Sequence, residues 1–225
     1  MNNTDIFKTI EKLLSNLNKN NILICIDGGQ GSGKTTFIEE LKNNLSGYEE
    51  YKILNIEIDD FVVDRAKREN LPVSFFKNAN NISKLFDFSK FSKAITELSK
   101  SNNSVVLEKL YNRETGKRDK TKKFKSSDKN ILIVGGPYLK ALLPIPLFDL
   151  KIFFHVDRKI RFTNTLCRGL KCKSRSKKSQ GVVFNKFENF FEHHYSDYIS
   201  FFDVIINNND WNNRFIVDKN NNTHG

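Results

Sequence analysis

The chain has 225 residues, of which 38% are hydrophobic, enough for one sizeable α/β domain, and no apolar run reaches the length of a membrane span. Its start, Met1-Asn2-Asn3-Thr4-Asp5, carries neither a basic n-region nor an apolar h-region, so a soluble cytoplasmic protein without a membrane partner is expected. The formal net charge of +11 sits in two places: residues 117–129 hold seven Lys/Arg against two Asp, and residues 158–178 hold nine Lys/Arg and no acid. That concentration suits a polyphosphate more than a nucleic-acid surface, although solvated Lys-rich loops or an RNA-binding face stay open as plainer alternatives.

In chain order, Asp5 to Asn18 places Ile6, Ile10, Leu13, Leu14 and Leu17 at helical spacing, with Thr4 or Asp5 available as N-cap. Ile22 to Ile26 reads as a buried strand. It runs into Gly28-Gly29-Gln30-Gly31-Ser32-Gly33-Lys34-Thr35, which fits G-x-x-x-x-G-K-[ST], and a helical pattern follows from Thr35 to near Gly47. Strand, glycine loop and helix in that order make an anion nest: glycines let backbone N–H groups converge on phosphate oxygens, and the helix adds the positive end of its dipole. A nucleoside triphosphate is the expected ligand. Lys34 would reach the β- and γ-phosphates, Thr35 would ligate Mg²⁺, and Thr36 would bond the α-phosphate.

Lys52 to Ile58 predicts a second strand that ends at Asp59-Asp60, followed by a polar stretch to Asn81 with little regular signal. Phosphoryl transfer to an alcohol needs a carboxylate near the hydroxyl and the metal, and a strand end beside the phosphate loop is where one belongs. On an extended chain Asp59 and Asp60 would point to opposite sides, so one of them would face the phosphates. Phe86 to Ser99 predicts a helix capped by Asp87. Val105 to Leu107 and a segment after Gly116 could pair as a hairpin. Ile131 to Val134 and Lys151 to Val156 read as buried strands of a parallel sheet.

The basic stretch that follows carries Arg161, Arg168 and Arg175 at intervals of seven, near one face of a helix. Arg forks on a closing segment would stabilise charge on a transferring phosphoryl group and exclude water. Phe184, Phe187, Phe191, Tyr195, Tyr198 and Phe202 step by three or four and read as core packing before a last strand, Val204 to Ile206. His155, His193 and His194 show no metal spacing and no nucleophile partner. Cys25, Cys167 and Cys172 are odd in number, match no zinc or redox spacing, and read as free thiols. The Asn-rich tail from 207 carries little signal. Alternating strands and helices imply a doubly wound parallel α/β sheet with its sites at the strand C-terminal ends.

Several segments resemble the uridine kinase and phosphoribulokinase family in the same order along residues 22–206. Ile56 to Phe61 is similar to its D-x-F segment, Tyr111 to Arg118 to its substrate hairpin, Leu147 to Arg168 to the strand entering an Arg-bearing lid, and Phe202 to Ile206 to its closing strand. The resemblance implies a single P-loop kinase domain with a core at 20–207, a hairpin insert at about 104–129, a lid at about 158–180 and a polar tail at 208–225.

It further implies an ATP- and Mg²⁺-dependent kinase acting on a nucleoside hydroxyl. Lys34, Asp59 and Arg168 would be catalytic, and residues 28–36 with Arg161 would hold nucleotide. Thr35 and Asp59 would hold the metal, and Asp59, Tyr111, Arg118 and Asp87 would contact the acceptor. The sequence departs from the family where Gly116 stands for a pyrimidine-reading His, Gly135-Gly136 for E-G, Val62 for Tyr and Asn112 for Asp. A sugar phosphate, a pantothenate-like or other alcohol, or nucleotide binding without turnover therefore remain alternatives, and self-association stays open.

Overall fold

The computed structural model describes residues 3–45, 48–69, 71–142, 147–171, 177–195 and 198–217. Gly47, Cys172, Arg175 and the end of the polar tail lie outside the described residues, as do the side chains of His193, His194 and Tyr198.

Helix α1 (Asn3–Ser15) buries Ile6, Phe7, Ile10 and Leu14. It starts before both expected caps and closes before Asn18, which takes a left-handed φ of 43°. Strand β1 (Asn21–Gly28) leads into α2 (Lys34–Asn44), then β2 (Lys52–Glu57). The stretch expected to lack regular structure holds α3 (Arg65–Glu69), a 3₁₀ turn at Val73–Lys77 and α4 (Ala79–Ser83). These pieces are too short to show a period. They are held by single anchors, with Phe76 and Ile82 buried and Phe76 packed edge-on against Phe187 at 4.9 Å.

Helix α5 (Phe88–Leu98) is capped as expected by Asp87, which accepts from the Lys90 N–H at 3.3 Å. The expected hairpin is β3 (Ser104–Leu110) with β4 (Lys120–Lys125), antiparallel, its register shifting between Leu107 and Leu110 where Lys109 has a φ of 51°. Next come β5 (Asn130–Gly135), α6 (Leu139–Leu142), β6 (Leu150–His155), α7 (Arg158–Lys171), α8 (Lys177–His194), α9 (Tyr198–Phe201), β7 (Val204–Asn207) and β8 (Phe215–Ile216).

The main sheet has the order β2-β5-β1-β6-β7-β8. All pairings are parallel except β7 with β8. Alternation along β1 explains how both faces are covered: Ile22, Ile24 and Ile26 join a core with α1 and α2, while Leu23 and Cys25 join a larger one with α5 and the aromatic stack. In that stack Phe153 lies 5.0 Å from Phe202 and 5.8 Å from Tyr195, so the Phe-rich stretch is core packing. Cys25 and Cys167 are free thiols. No helix among the described residues is long and apolar enough to cross a membrane.

Candidate active site

The loop from Gly28 to Gly33 crosses the C-terminal end of the central strand. Gly31 and Gly33 have φ of 81° and 91°, conformations open to glycine at little cost. Space demands glycine there too. A Cβ on Gly31 would lie 2.3 Å from the Arg161 carbonyl oxygen, and one on Gly33 would lie 2.7 Å from Asn208 Nδ2. Gly33 caps α2 without a side-chain bond, which leaves the first amides of that helix for an anion. Gln30 is half-buried and Ser32 buried, and Thr35 and Thr36 are exposed at the mouth of the loop.

Lys34 is buried and folded back onto the loop. Its Nζ donates to the Gly28 carbonyl at 2.7 Å, the Gly29 carbonyl at 3.0 Å and Ser32 Oγ at 3.2 Å. Burial lowers its pKa to about 8, against the opposing charges of Asp27, Asp59 and Glu57.

Asp27, an acid in an otherwise apolar strand, is fully buried. Its Oδ1 accepts from the Gly28 N–H at 2.6 Å and the Tyr138 N–H at 3.0 Å; its Oδ2 accepts from the Lys140 N–H at 2.9 Å and the Tyr195 hydroxyl at 2.5 Å. Burial pushes its pKa up while these donors pull it down. It thereby ties the start of the glycine loop to the turn after β5 and the end of α8.

Asp59 and Asp60 are not on extended backbone. Ile58–Phe61 is a 3₁₀ turn pinned by buried Ile58 and Phe61, which corrects the premise that adjacent residues alternate sides. The two carboxylates still diverge, because successive 3₁₀ residues are about a third of a turn apart. Asp59 Oδ2 accepts from Arg113 at 2.6 Å, Asp60 pairs with Lys122, and Asp59 is the one whose charge reaches Lys34.

On the hairpin side, Tyr111 is buried, donates its N–H to the Asp60 carbonyl at 2.6 Å and carries the Arg68 guanidinium 4.7 Å above its ring. Arg118 donates to Asp87 Oδ2 at 2.7 Å and to the Lys109 carbonyl at 2.8 Å, so Asp87 caps a helix and anchors the hairpin at once. Gly116 turns at a φ of 73°, and a Cβ on it would meet the Arg65 guanidinium at 3.0 Å.

Arg161 reaches the glycine loop. Its Nη1 would lie 2.4 Å from a Cβ on Gly29, its Nε donates to the Val156 carbonyl at 2.8 Å, and both terminal nitrogens hold Glu188, one at 2.6 Å. Asn164 donates to the Gly31 carbonyl at 3.0 Å. Arg168, seven residues on, is exposed and stands outside this packed set. His155 is half-buried at the end of β6, 3.9 Å from Asp157.

Asp27, Arg113, Glu188 and Asn208 escaped the sequence reading. An acid directly before the glycine loop was a legible signal for Asp27, whereas Glu188 and Arg113 look like any surface charge until the chain folds. The tail, which carries little sequence signal, closes over the loop: Asn208 donates to the Ser32 carbonyl at 2.8 Å, and buried Arg214 bonds Glu40 at 2.6 Å with its guanidinium 4.1 Å from the Trp211 ring.

The residues present fit a nucleoside triphosphate with Mg²⁺. Two buried polar atoms flank the cradle without a partner, Thr165 Oγ1 beside Gly31 and Asn208 Oδ1 beside Gly33. The donors available, a hydroxyl and carboxylates, are the hard oxygens Mg²⁺ prefers. Among the described residues no group of three or more His, Cys, Asp and Glu could hold a metal ion.

A parallel sheet with a glycine cradle after its central strand and an acidic turn after β2, two strands over, defines a P-loop nucleotide-binding fold. The chain belongs to the Phosphoribulokinase / Uridine kinase family, whose family model matches residues 23–209. No curated protein matches it.

Among solved structures, the fold is similar to a possible uridine kinase from Bacillus stearothermophilus, with 20% identity over 89% of this chain and 97% of that one and a TM-score of 0.61. It is also similar to a candidate fructose transport system kinase from Silicibacter sp. TM1040, with 18% identity over 85% and 95% and a TM-score of 0.64. D-glycerate 3-kinase from Cryptococcus neoformans var. grubii aligns at 12% identity over 94% and 99% with a TM-score of 0.62. At these identities the likeness concerns the fold.

Proposed function

We propose that this chain is an ATP-dependent kinase that transfers the γ-phosphoryl group to a hydroxyl of a small-molecule acceptor, with Asp59 as general base. The observation that carries the reading is the convergence of Lys34 and Asp59: a lysine anchored on the glycine loop lies within the field of a carboxylate on the 3₁₀ turn after β2. On nucleotide binding Lys34 exchanges the Gly28 and Gly29 carbonyls for β- and γ-phosphate oxygens. The amides of residues 28–36 cradle the remaining phosphate oxygens, and the Thr36 hydroxyl takes the α-phosphate.

Thr35 and Asp59 are the residues that would hold Mg²⁺, which when bound neutralises charge on the phosphates. Arg113 occupies Oδ2 of Asp59, leaving Oδ1 to accept the acceptor's proton. Arg168 supplies positive charge from the α7 side, Arg161, its charge held by Glu188, props the loop at Gly29, and Tyr111, Arg118 and Asp87 bound the acceptor.

Within the family reading a nucleoside such as uridine or cytidine is the first acceptor to test. One observation favours a second: the hairpin position where a pyrimidine-reading His would stand is Gly116, turned at positive φ beneath Arg65, and Arg113 stands beside Asp59. That arrangement suits an anionic acceptor, a sugar phosphate or a hydroxy acid. ADP release measured against uridine, cytidine, a pentose phosphate, fructose, glycerate and pantothenate separates these. ATP binding with no ADP release above background for any acceptor would make the chain a nucleotide-binding protein without turnover.

A further inference from the structure

β5 is the strand between β1 and β2, and the residue at its C-terminal end, Gly135, carries no side chain toward the phosphate loop. Gly135 is outside the positive-φ region, so backbone geometry does not call for glycine there. What calls for glycine is crowding from α2. A Cβ on Gly135 would lie 2.7 Å from Ile38 Cδ1 and 3.6 Å from Glu57 Cγ.

Glu57 stands directly opposite Gly135 in the parallel register of β2 and β5. Ile53 on β2 and Ile131 and Ile133 on β5 pack in the core beneath α2; Glu57 and Gly135 continue the same alternation and so face the side on which α2 begins at Lys34. Ile38 fills the space beside Gly135, and the Glu57 stem runs alongside at van der Waals distance from it.

Its charge is also uncommitted. Of the three acids at the end of β2 and in the turn after it, Asp59 is paired with Arg113 and Asp60 with Lys122, while Glu57 accepts no hydrogen bond and joins no ion pair among the described residues. The charges that face it are Asp59, Asp60, Arg113 and Lys122 around the turn and Lys34 from α2. A half-buried carboxylate whose charge is felt at Lys34 repels the nucleotide unless a cation stands between them.

We propose that Glu57, at the end of β2 on the side where α2 begins, holds water ligands of the Mg²⁺ carried in by the nucleotide. Neighbouring strands are about 4.8 Å apart, and Mg²⁺ keeps several of its waters, so an acid two strands over from β1 serves through that water shell. The inference rests on the kinase reading above, since it needs a metal–triphosphate in the loop.

Mn²⁺ as a paramagnetic probe tests it. Electron paramagnetic resonance counts free Mn²⁺ in titrations of the protein with adenylyl imidodiphosphate, and the affinity for the analogue is measured separately in EDTA. For Glu57→Gln, with melting temperature as a check on folding, Mn²⁺ affinity in the ternary complex should fall about 10- to 100-fold, as for outer-shell metal partners elsewhere. Analogue affinity in EDTA should not weaken, and Glu57→Asp should fall between the two.

Equal Mn²⁺ affinity in wild type and Glu57→Gln overturns the inference and leaves the kinase reading standing. If wild-type protein binds neither the analogue nor Mn²⁺ with it, the kinase reading falls and this one with it.

Discussion

Glu188 on α8 grips the Arg161 guanidinium with both carboxylate oxygens while that guanidinium lies against Gly29 of the phosphate loop, and both side chains are almost wholly buried, at 2% and 5% exposure. The phosphate loop, the start of α7 and the middle of α8 are thus one electrostatic unit, with Phe191 packed 4.7 Å from the guanidinium.

Glu188→Ala is expected to destabilise the protein by about 3–5 kcal/mol, because it leaves a buried guanidinium without its counter-charge. Urea unfolding followed by circular dichroism measures this. A change below about 1 kcal/mol would mean that Arg161 finds another partner. Glu188→Gln, which keeps the shape and one acceptor, should cost less.

Asp59→Asn should lower kcat by about 10²- to 10⁴-fold, the usual contribution of a positioned general base, while ATP binding stays within a few-fold. Steady-state ADP release together with calorimetric ATP titration checks both halves. Turnover at the wild-type rate would remove Asp59 from the chemistry. Arg113→Ala is the companion experiment: it removes the only side chain bonded to Asp59 among the described residues, and its effect should fall mainly on the acceptor KM.

Lys34 sets a pH dependence whose sign can be stated. Its pKa in the nucleotide-free protein is lowered to about 8 by burial, and phosphate charge would raise it again. At pH 9 the free protein therefore holds Lys34 largely neutral, and binding ATP should take up a proton; at pH 6.5, where Lys34 is already charged, its uptake should vanish. Calorimetry in buffers of different ionisation enthalpy reads the proton count directly. Equal uptake at both pH values would show that Lys34 titrates elsewhere.

Gly31→Ala should weaken ATP binding and lower the melting temperature together. The substitution places a Cβ at a φ of 81° and drives it to 2.3 Å from the Arg161 backbone, which cannot swing aside as a flexible side chain would. The left-handed conformation alone costs roughly 1–2 kcal/mol. Thermal unfolding with and without ATP separates the two effects: an unchanged melting temperature would mean that α7 yields freely.

What the linear chain determined by itself is whatever rests on local pattern. The glycine loop, the strand before it and the helix after it are contiguous, and their residue types follow from φ, spacing and dipole. The Asp87 cap, the alternation that buries both faces of β1, and the aromatic spacing of α8 are equally local. Pairing was beyond it. Which acid meets Arg161, which cation holds Asp59, why Gly135 sits beside Glu57 and how Asn208 and Arg214 close over the loop depend on residues tens to nearly two hundred positions apart, brought together by strand order and register. The 3₁₀ turn at Asp59 and the short helices between 65 and 83 belong with these, because segments of four or five residues carry no period and take their shape from the core they are pinned to.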